Sequence, residues 1–570
     1  MNFWWLALPA LLLLFFAAAI RYGRRQRLAR IRSTWGTPVE RTRRMDAISA
    51  SHTERTTVLG GASLDERTWA DLDLDLVFSA IDRTQSTLGQ HALYHRLRTA
   101  PVGSDLGAFE ALVQRFSVDG STRERAQLAL ARLQDPQGYD LWWLARADAV
   151  ERHSRYVVFP IITATALVLV ALSPWWSGAF AALVGLLALN VGVRYATDFR
   201  VADIARRFRQ SAPLIATAGS LRFLTGDDID PIVKPLQMDV PALARLKLIS
   251  RWVNGDPFML SVSPDRLIGL VSDVVATLYE YLNLLFLLDA TGVYFGSRDL
   301  SRHGPALVRV TAAVGDVDAA ISVASFREGR SDWTRPDFRA PGATSEWKEL
   351  RHPLVNEPVP NSIDLRPGRG VLITGSNMSG KSTFLRTVGV NAILAQTINT
   401  CLAREYRAPL LHVRSCIGRA DDLVAGKSYY IAEVEALLEL VRASEDGRAH
   451  LFLLDELFRG TNAVERIAAG HAVLQQLLQP HGAPARHVVI AATHDRELVD
   501  LATDAFEAYH FGDSIGADGL TFDHLLRRGP ATTRNAITLL RLHGAPEMLL
   551  KRAVTTAEML DRERGNALIG

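Results

Sequence analysis

Residues 371–383 read Val371-Leu372-Ile373-Thr374-Gly375-Ser376-Asn377-Met378-Ser379-Gly380-Lys381-Ser382-Thr383. An apolar, β-branched run leads straight into a G-x-x-x-x-G-K-[S/T] loop, and Phe384 to Gln396 has the pattern of the helix that should follow. The glycines let the backbone wrap an anion, and amides at a helix N-terminus point at it. The reading assigns Gly375, Ser376, Asn377, Met378, Ser379, Gly380, Lys381, Ser382 and Thr383 to ATP. Lys381 would reach the β and γ phosphates and Ser382 would ligate Mg²⁺. Lys381 is one of six lysines against 58 arginines. So strong a bias is that of a GC-rich genome, in which drift supplies few lysines.

Two further strands predict the rest of the site. Leu451-Phe452-Leu453-Leu454 ends in Asp455-Glu456, 74 residues after Lys381. Alone, an acidic pair at a strand end is an ordinary cap. Downstream of a phosphate loop, the first carboxylate supports the metal and the second polarises the attacking water. His487 to Ala492 is a third strand, followed by Thr493-His494-Asp495. A histidine at a strand end is usually incidental, but at the C-terminal edge of a parallel sheet His494 is placed to meet a γ-phosphate. Alternating strands and helices from 340 to 557 predict an α/β ATPase domain.

Length and composition bound what precedes it. At 570 residues the chain exceeds one domain, and 48% hydrophobic with 22% charged residues excludes disorder for most of it. Two cysteines, Cys401 and Cys416, exclude a disulfide scaffold and a thiolate zinc site, and suit a reducing compartment. Residues 3–20 are an uncharged apolar run, with arginines 21, 24, 25, 27, 30, 32, 41, 43 and 44 beyond it. That polarity predicts an anchor with its N-terminus outside, instead of a cleaved signal peptide. Residues 156–193 are 38 without formal charge, divided at Ser173-Pro174-Trp175-Trp176 and flanked by arginine at both ends. They predict a helical hairpin with both ends inside. Three spans and a cytoplasmic remainder follow, which places the chain in an inner membrane. Leu282–Phe295, interrupted by Asp289, reads as a core helix and not a fourth span. The basic segment 21–44 suits anionic lipid headgroups or DNA phosphates, and its place beside the membrane favours lipid.

The run from Gly375 to Thr387 closely resembles the MutS family of DNA mismatch-repair ATPases, and four other stretches are similar to it. These are Arg351-His352-Pro353-Leu354-Val355 with Val359-Pro360-Asn361, Gly418 to Leu423 running into Gly426 to Glu433, Asp455 to Asn462, and Ala492-Thr493-His494. More weakly, Ile81 to Pro101 and Val317 to Phe338 look like the start and end of the family's helical core, so the resemblance covers about residues 67–557 apart from the hairpin. It implies an α + α/β fold: transmembrane helices, a helical core, and a C-terminal P-loop ATPase domain of the ABC-like type. The expected boundaries are 1–20 anchor, 21–66 basic segment, 67–156 first part of the core, 157–193 hairpin, 194–338 second part, 339–557 ATPase domain and 558–570 tail.

The resemblance also implies an ATPase homodimer joined through its ATPase domains. Ser428 of the signature loop would close the partner's site in trans, and a helix N-cap is its ordinary alternative. Catalysis would fall to Lys381, Glu456 and His494, with Ser382 and Asp455 on the metal. Departures bear on substrate. About 45 residues separate the first anchor from the core, too few for the family's mismatch-reading and connector domains. Val359 stands where an aromatic would stack on adenine, and no nuclease-like extension follows Ala557. The leading expectation is a membrane-anchored ATPase coupled to mismatched, damaged or branched DNA. A nucleotide-switched membrane assembly protein without DNA binding is the second. A transporter ATPase half fits least, because the signature loop reads Ala425-Gly426-Lys427-Ser428-Tyr429-Tyr430.

Overall fold

The computed structural model describes residues 18, 21–99, 103–133, 141–145, 154–253, 277–376, 378–418, 429–458, 461–479, 486–516, 519–530, 537, 540–541 and 544–567. The expected first anchor, apart from Ala18, lies outside these residues, and so do Asn377 and Ser428. The chain forms two compact units, Met1–Ser63 with Phe78–Ser331, and Leu64–Val77 with Asp332–Gly570.

The first unit is built on a 41-residue helix, Leu288–Glu328. Leu307, Val310, Val314, Val317 and Ile321 are fully buried, and their alternating spacing of three and four draws one apolar stripe along it. Helix Thr87–Arg98 crosses this stripe closely. A Cβ on Gly315 would stand 2.8 Å from the Cβ of Ala92, and one on Gly89 would overlap the carboxylate of Asp318. Asp318 accepts from the backbone N–H of Gln85 and of Ser86, each at 2.8 Å, and from the Ser86 hydroxyl at 2.5 Å. Ser86 in turn caps the helix through Gly89 N at 3.0 Å. Burial still pushes the Asp318 carboxyl up to about 6. Deeper along the helix, Arg327 holds Glu110 with both fork nitrogens, at 2.9 and 2.7 Å.

The basic segment is partly spent on this unit. Arg41 Nη2 meets both carboxylate oxygens of Asp82 at 2.5 and 2.6 Å, and Arg43 Nε meets Oδ2 at 2.8 Å. Arg32 forks onto Glu124. Burial alone would raise the Asp82 carboxyl, but Arg41, Gln90 and Arg43 outweigh it and hold it below the carboxylate range. Of the nine arginines assigned to lipid or DNA, Arg41 and Arg43 thus have an internal role, and their charge is neutralised inside the fold.

Residues 156–193 do form a helical hairpin. Val158–Leu172 and Ser177–Arg209 are joined at Ser173–Trp176. Ile161, Leu167, Val168, Phe180, Val184 and Leu189 are each more than half exposed, as are both tryptophans of the turn. Among the described residues, Ser177–Arg194 is the one helical stretch long and apolar enough to cross a bilayer. Val158–Leu172, at 15 residues, rises about 22 Å against a hydrocarbon core of about 30 Å. Among the described residues, the expected hairpin is therefore one helix of full length and a shorter companion, and the expected first span lies outside them.

The stretch Leu282–Phe295 is not one helix. It breaks at Leu287, whose φ is 51°, and the long helix begins at Leu288.

The second unit holds two sheets. Strands are β1 Asp337–Phe338, β2 Ser345–Leu350, β3 Asn361–Leu365, β4 Gly370–Thr374, β5 Glu405–Ala408, β6 His412–Ile417, β7 His450–Asp455, β8 Val488–Ala492, β9 Phe506–Gly516 and β10 Gly519–Arg528. A four-stranded sheet runs β1-β5-β2-β3, and a six-stranded sheet runs β10-β9-β4-β8-β7-β6. In the larger sheet every neighbouring pair is parallel except β9 and β10. Residues 67–77 fall in this unit, although the expected domain division put them with the helical core. The reason is edge protection. Thr68 Oγ1 accepts from Ser415 N at 3.0 Å, and Asp71 Oδ2 accepts from Ile417 N at 2.9 Å and from the Ser415 hydroxyl at 2.7 Å. The segment thereby satisfies donors along the outer side of edge strand β6.

Candidate nucleotide site

The sheet order assembles the site. β8 lies between β4 and β7, so three adjacent strand ends carry the phosphate loop, His494 and Asp455-Glu456 side by side. β4 is buried along its whole length, and helix Lys381–Ile398 follows the loop as expected. Lys381 is buried and donates to the carbonyls of Gly375 and Ser376 at 2.9 and 3.0 Å. Ser382 Oγ donates to Asp455 Oδ2 at 2.5 Å. His494 Nε2 lies 2.7 Å from Glu456 Oε1 and 3.3 Å from Lys381 Nζ. One ring nitrogen serves both: protonated, it donates to Glu456, and unprotonated, it accepts from Lys381. The histidine therefore supports one of them at a time.

Backbone strain concentrates here. Among the described residues nine non-glycines have positive φ, and Glu357, Met378, Glu456 and His524 of these line a single cavity of about 450 Å³. Its walls also include His352, Val355, Pro358, Val359, Lys381, Ser382, Thr383, Phe384 and Phe511. Val359 is on the wall where the sequence comparison expected an aromatic. His524 was not anticipated. It sits where the β9–β10 register shifts between Phe522 and Leu526, with Nδ1 3.0 Å from Ser379 O and its own carbonyl accepting from Asn361 Nδ2 at 2.9 Å. The sequence signal for it is slight: the period-2 pattern of Leu520 to Leu526 falters at Asp523-His524.

The donors suit Mg²⁺ and a polyphosphate. A Cβ on Gly375 would stand 2.8 Å from Ser379 Oγ, and one on Gly380 would stand 3.3 Å from His524 Nδ1, at φ values of 148° and 113°. The hydroxyls of Ser376 and Ser379 are buried and have no partner among the described residues. One hydroxyl and one carboxylate, Ser382 and Asp455, leave the remaining positions of a hard cation to phosphate and water.

His352 is buried in the wall, where its Nδ1 accepts from Leu354 N at 3.2 Å. Burial, aided by the nearby Arg386 guanidinium, brings the imidazole down to about 4. The ring is thus neutral at pH 7 and adds no charge to the pocket. Because the unfolded chain binds this proton near 6.5, the fold loses stability as pH falls from 6.5 towards 4. Urea unfolding across that range should show His352→Gln losing less than the wild type, by at most about 3 kcal/mol.

Around the metal strand, Phe458 N donates to Glu433 Oε1 at 2.5 Å, and Arg466 forks onto Asp495 at 2.8 and 2.6 Å. Of the residues expected to act, the structure brings Lys381, Ser382, Asp455, Glu456 and His494 together, whereas Ser428 and Asn377 lie outside the described residues.

Residues 371–561 match the family model for MutS domain V, the ATPase domain of that family. The chain is 34% identical over 262 residues to a DNA mismatch repair protein MutS of Natronomonas pharaonis, covering 45% of this chain and 29% of the relative. It is 33% identical over 257 residues to that of Thermus aquaticus, covering 44% and 30%. A third relative, DNA mismatch repair protein MutS 2 of Halobacterium salinarum, is 35% identical over 263 residues, covering 44% and 29%. The chain spans about a third of the length of these curated relatives. With the phosphate loop, metal strand and histidine strand meeting at one sheet edge, residues 371–561 carry a MutS domain V, and the chain is similar to MutS proteins over about 45% of its length.

Proposed function

We propose that this protein is a membrane-anchored MutS-family ATPase that binds and hydrolyses ATP as a dimer and couples the cycle to mismatched, damaged or branched DNA. The observation that carries the ATPase reading is the contact of Lys381, His494 and Glu456 beside the Ser382–Asp455 pair. Ser382 and Asp455 would hold Mg²⁺, which supplies charge neutralisation to the phosphates. Lys381 exchanges its two loop carbonyls for phosphate oxygens. Glu456 orients the attacking water and accepts its proton, and His494 senses the γ-phosphate by leaving Glu456 or Lys381. Val359, on the cavity wall, would face the base. Ser428 reaches the γ-phosphate held by the second copy, so nucleotide favours the closed dimer. DNA as partner is supported by the relatives, which are DNA mismatch repair proteins. Anchoring is supported by the exposed apolar hairpin, with its ends, the core and the ATPase unit in the cytoplasm and the N-terminus outside.

The hairpin also supports the second reading, a nucleotide-switched membrane assembly protein without DNA. Turnover by the detergent-purified protein at low salt separates the two, with Lys381→Ala as the blank. Homoduplex, single-mismatch and four-way-junction DNA are each added. A rate changed by one form identifies the substrate, and a rate indifferent to all three selects the second reading.

A further inference from the structure

The helix ending at Phe286 and the long helix starting at Leu288 fold back on each other. Tyr279 and Asp289, ten residues apart, would be separated by about 15 Å along a straight helix. Instead the Tyr279 hydroxyl donates to Asp289 Oδ1 at 2.5 Å. Asn283 completes the turn, its Nδ2 donating to Asp289 Oδ2 and its Oδ1 accepting from Asp289 N, both at 2.8 Å. The tip of this reversal is seated on the hairpin. Asn190, fully buried, donates to Leu285 O at 2.5 Å, and Thr163 Oγ1 lies 2.7 Å from Phe286 O and 2.8 Å from Thr291 Oγ1.

Those carbonyls end a helix and have no helical partner. In water they need none from the protein, whereas in hydrocarbon each must be satisfied internally. Thr163 and Asn190 supply the partners from within the apolar hairpin. Level is fixed by a second contact: Arg194, at the end of the apolar span, pairs with Glu280 at 3.1 Å. Asn190 lies four residues, about 6 Å, further into the span than Arg194. Apart from Glu280, the exposed side chains of the reversal are apolar, Leu278 and Tyr281 being 59% and 65% exposed and Leu282 and Phe295 more than a third exposed.

We propose that residues 278–295 are a re-entrant element, dipping into bilayer hydrocarbon from the side of the hairpin's two ends and clamped there by Thr163 and Asn190. The proposal rests on the hairpin crossing the membrane. It makes the start of the long helix a point fixed at the bilayer, and the chain passes from the far end of that helix into the ATPase unit at Asp332.

Spin labels test it in a Cys401→Ala, Cys416→Ala background, with the full chain in phosphatidylethanolamine–phosphatidylglycerol vesicles. Single sites are Leu167→Cys in the hairpin, Leu282→Cys and Phe295→Cys in the reversal, and Val118→Cys, 88% exposed, as the aqueous reference. Collision with oxygen relative to a water-soluble nickel chelate should be highest at 167, intermediate at 282 and 295, and lowest at 118. Values at 282 and 295 equal to 118, with 167 in lipid, overturn the re-entrant element and leave the hairpin standing. A water-like value at 167 overturns the hairpin reading itself. Thr163→Val with Asn190→Leu should move 282 and 295 to the aqueous value and leave 167 unchanged, whereas Thr163→Ser with Asn190→Gln should keep all sites in place. No difference between the two pairs removes the clamp.

Discussion

Glu456→Gln is expected to keep ATP binding while lowering turnover about 100- to 1,000-fold, the range seen when one group acting on the transition state is removed. The carboxylate is held by His494 at 2.7 Å and by a backbone bond from its own N–H to Ala492 O at 3.0 Å. A glutamine of the same shape keeps both neighbours and cannot accept the proton of the attacking water. Bound labelled nucleotide by filtration and phosphate release in the same sample give the two readings. Turnover within a factor of three of wild type would remove Glu456 from the mechanism. Loss of binding would instead point to a role for it in shaping the loop.

Asp82→Asn should cost about 3–5 kcal/mol of stability, because it leaves two guanidinium groups facing a neutral amide inside the fold. The Asp82 side chain is fully buried, and those of Arg41 and Arg43 are 26% and 11% exposed. Asp46, whose ion pair with Arg44 has side chains 74% and 60% exposed, is the control. Asp46→Asn should leave the unfolding midpoint where it is in the wild type. Denaturant unfolding followed by circular dichroism compares the two. The Asp82 carboxyl is held low in the fold, so its contribution is present above the unfolded pKa, about 4, and fades as pH falls below it. An Asp82→Asn cost equal to that of Asp46→Asn would mean that the cluster is solvated.

The site was legible because its chemistry is local. A glycine loop, a strand ending in carboxylates and a strand ending in histidine each announce themselves within ten residues, and a parallel sheet gathers strand ends along one edge. The hairpin was legible for the same reason, since 38 uncharged residues with a Ser-Pro-Trp-Trp turn leave few alternatives. What the sequence hid depends on distance or on backbone strain. Leu287 turns the chain with a left-handed φ of 51° and neither Gly nor Pro beside it, so the apolar run around it reads as one helix. His524 reaches the cavity through a register shift that its neighbours barely mark. Thr68 and Asp71 look like part of a helix and act on a strand almost 350 residues away.

That last pairing has a consequence for how the chain is made. Thr68 leaves the ribosome 347 residues before Ser415, and at 5–20 residues per second the interval is about 17–70 s. For that time Trp69, Leu72 and Leu74, all buried in the finished protein, have no sheet to cover. The nascent chain must therefore hold an apolar strap open through most of its own synthesis. A fragment begun at Asp332 would make the sheet without the strap, leaving β6 bare, and would be expected to pair edge to edge with its copies.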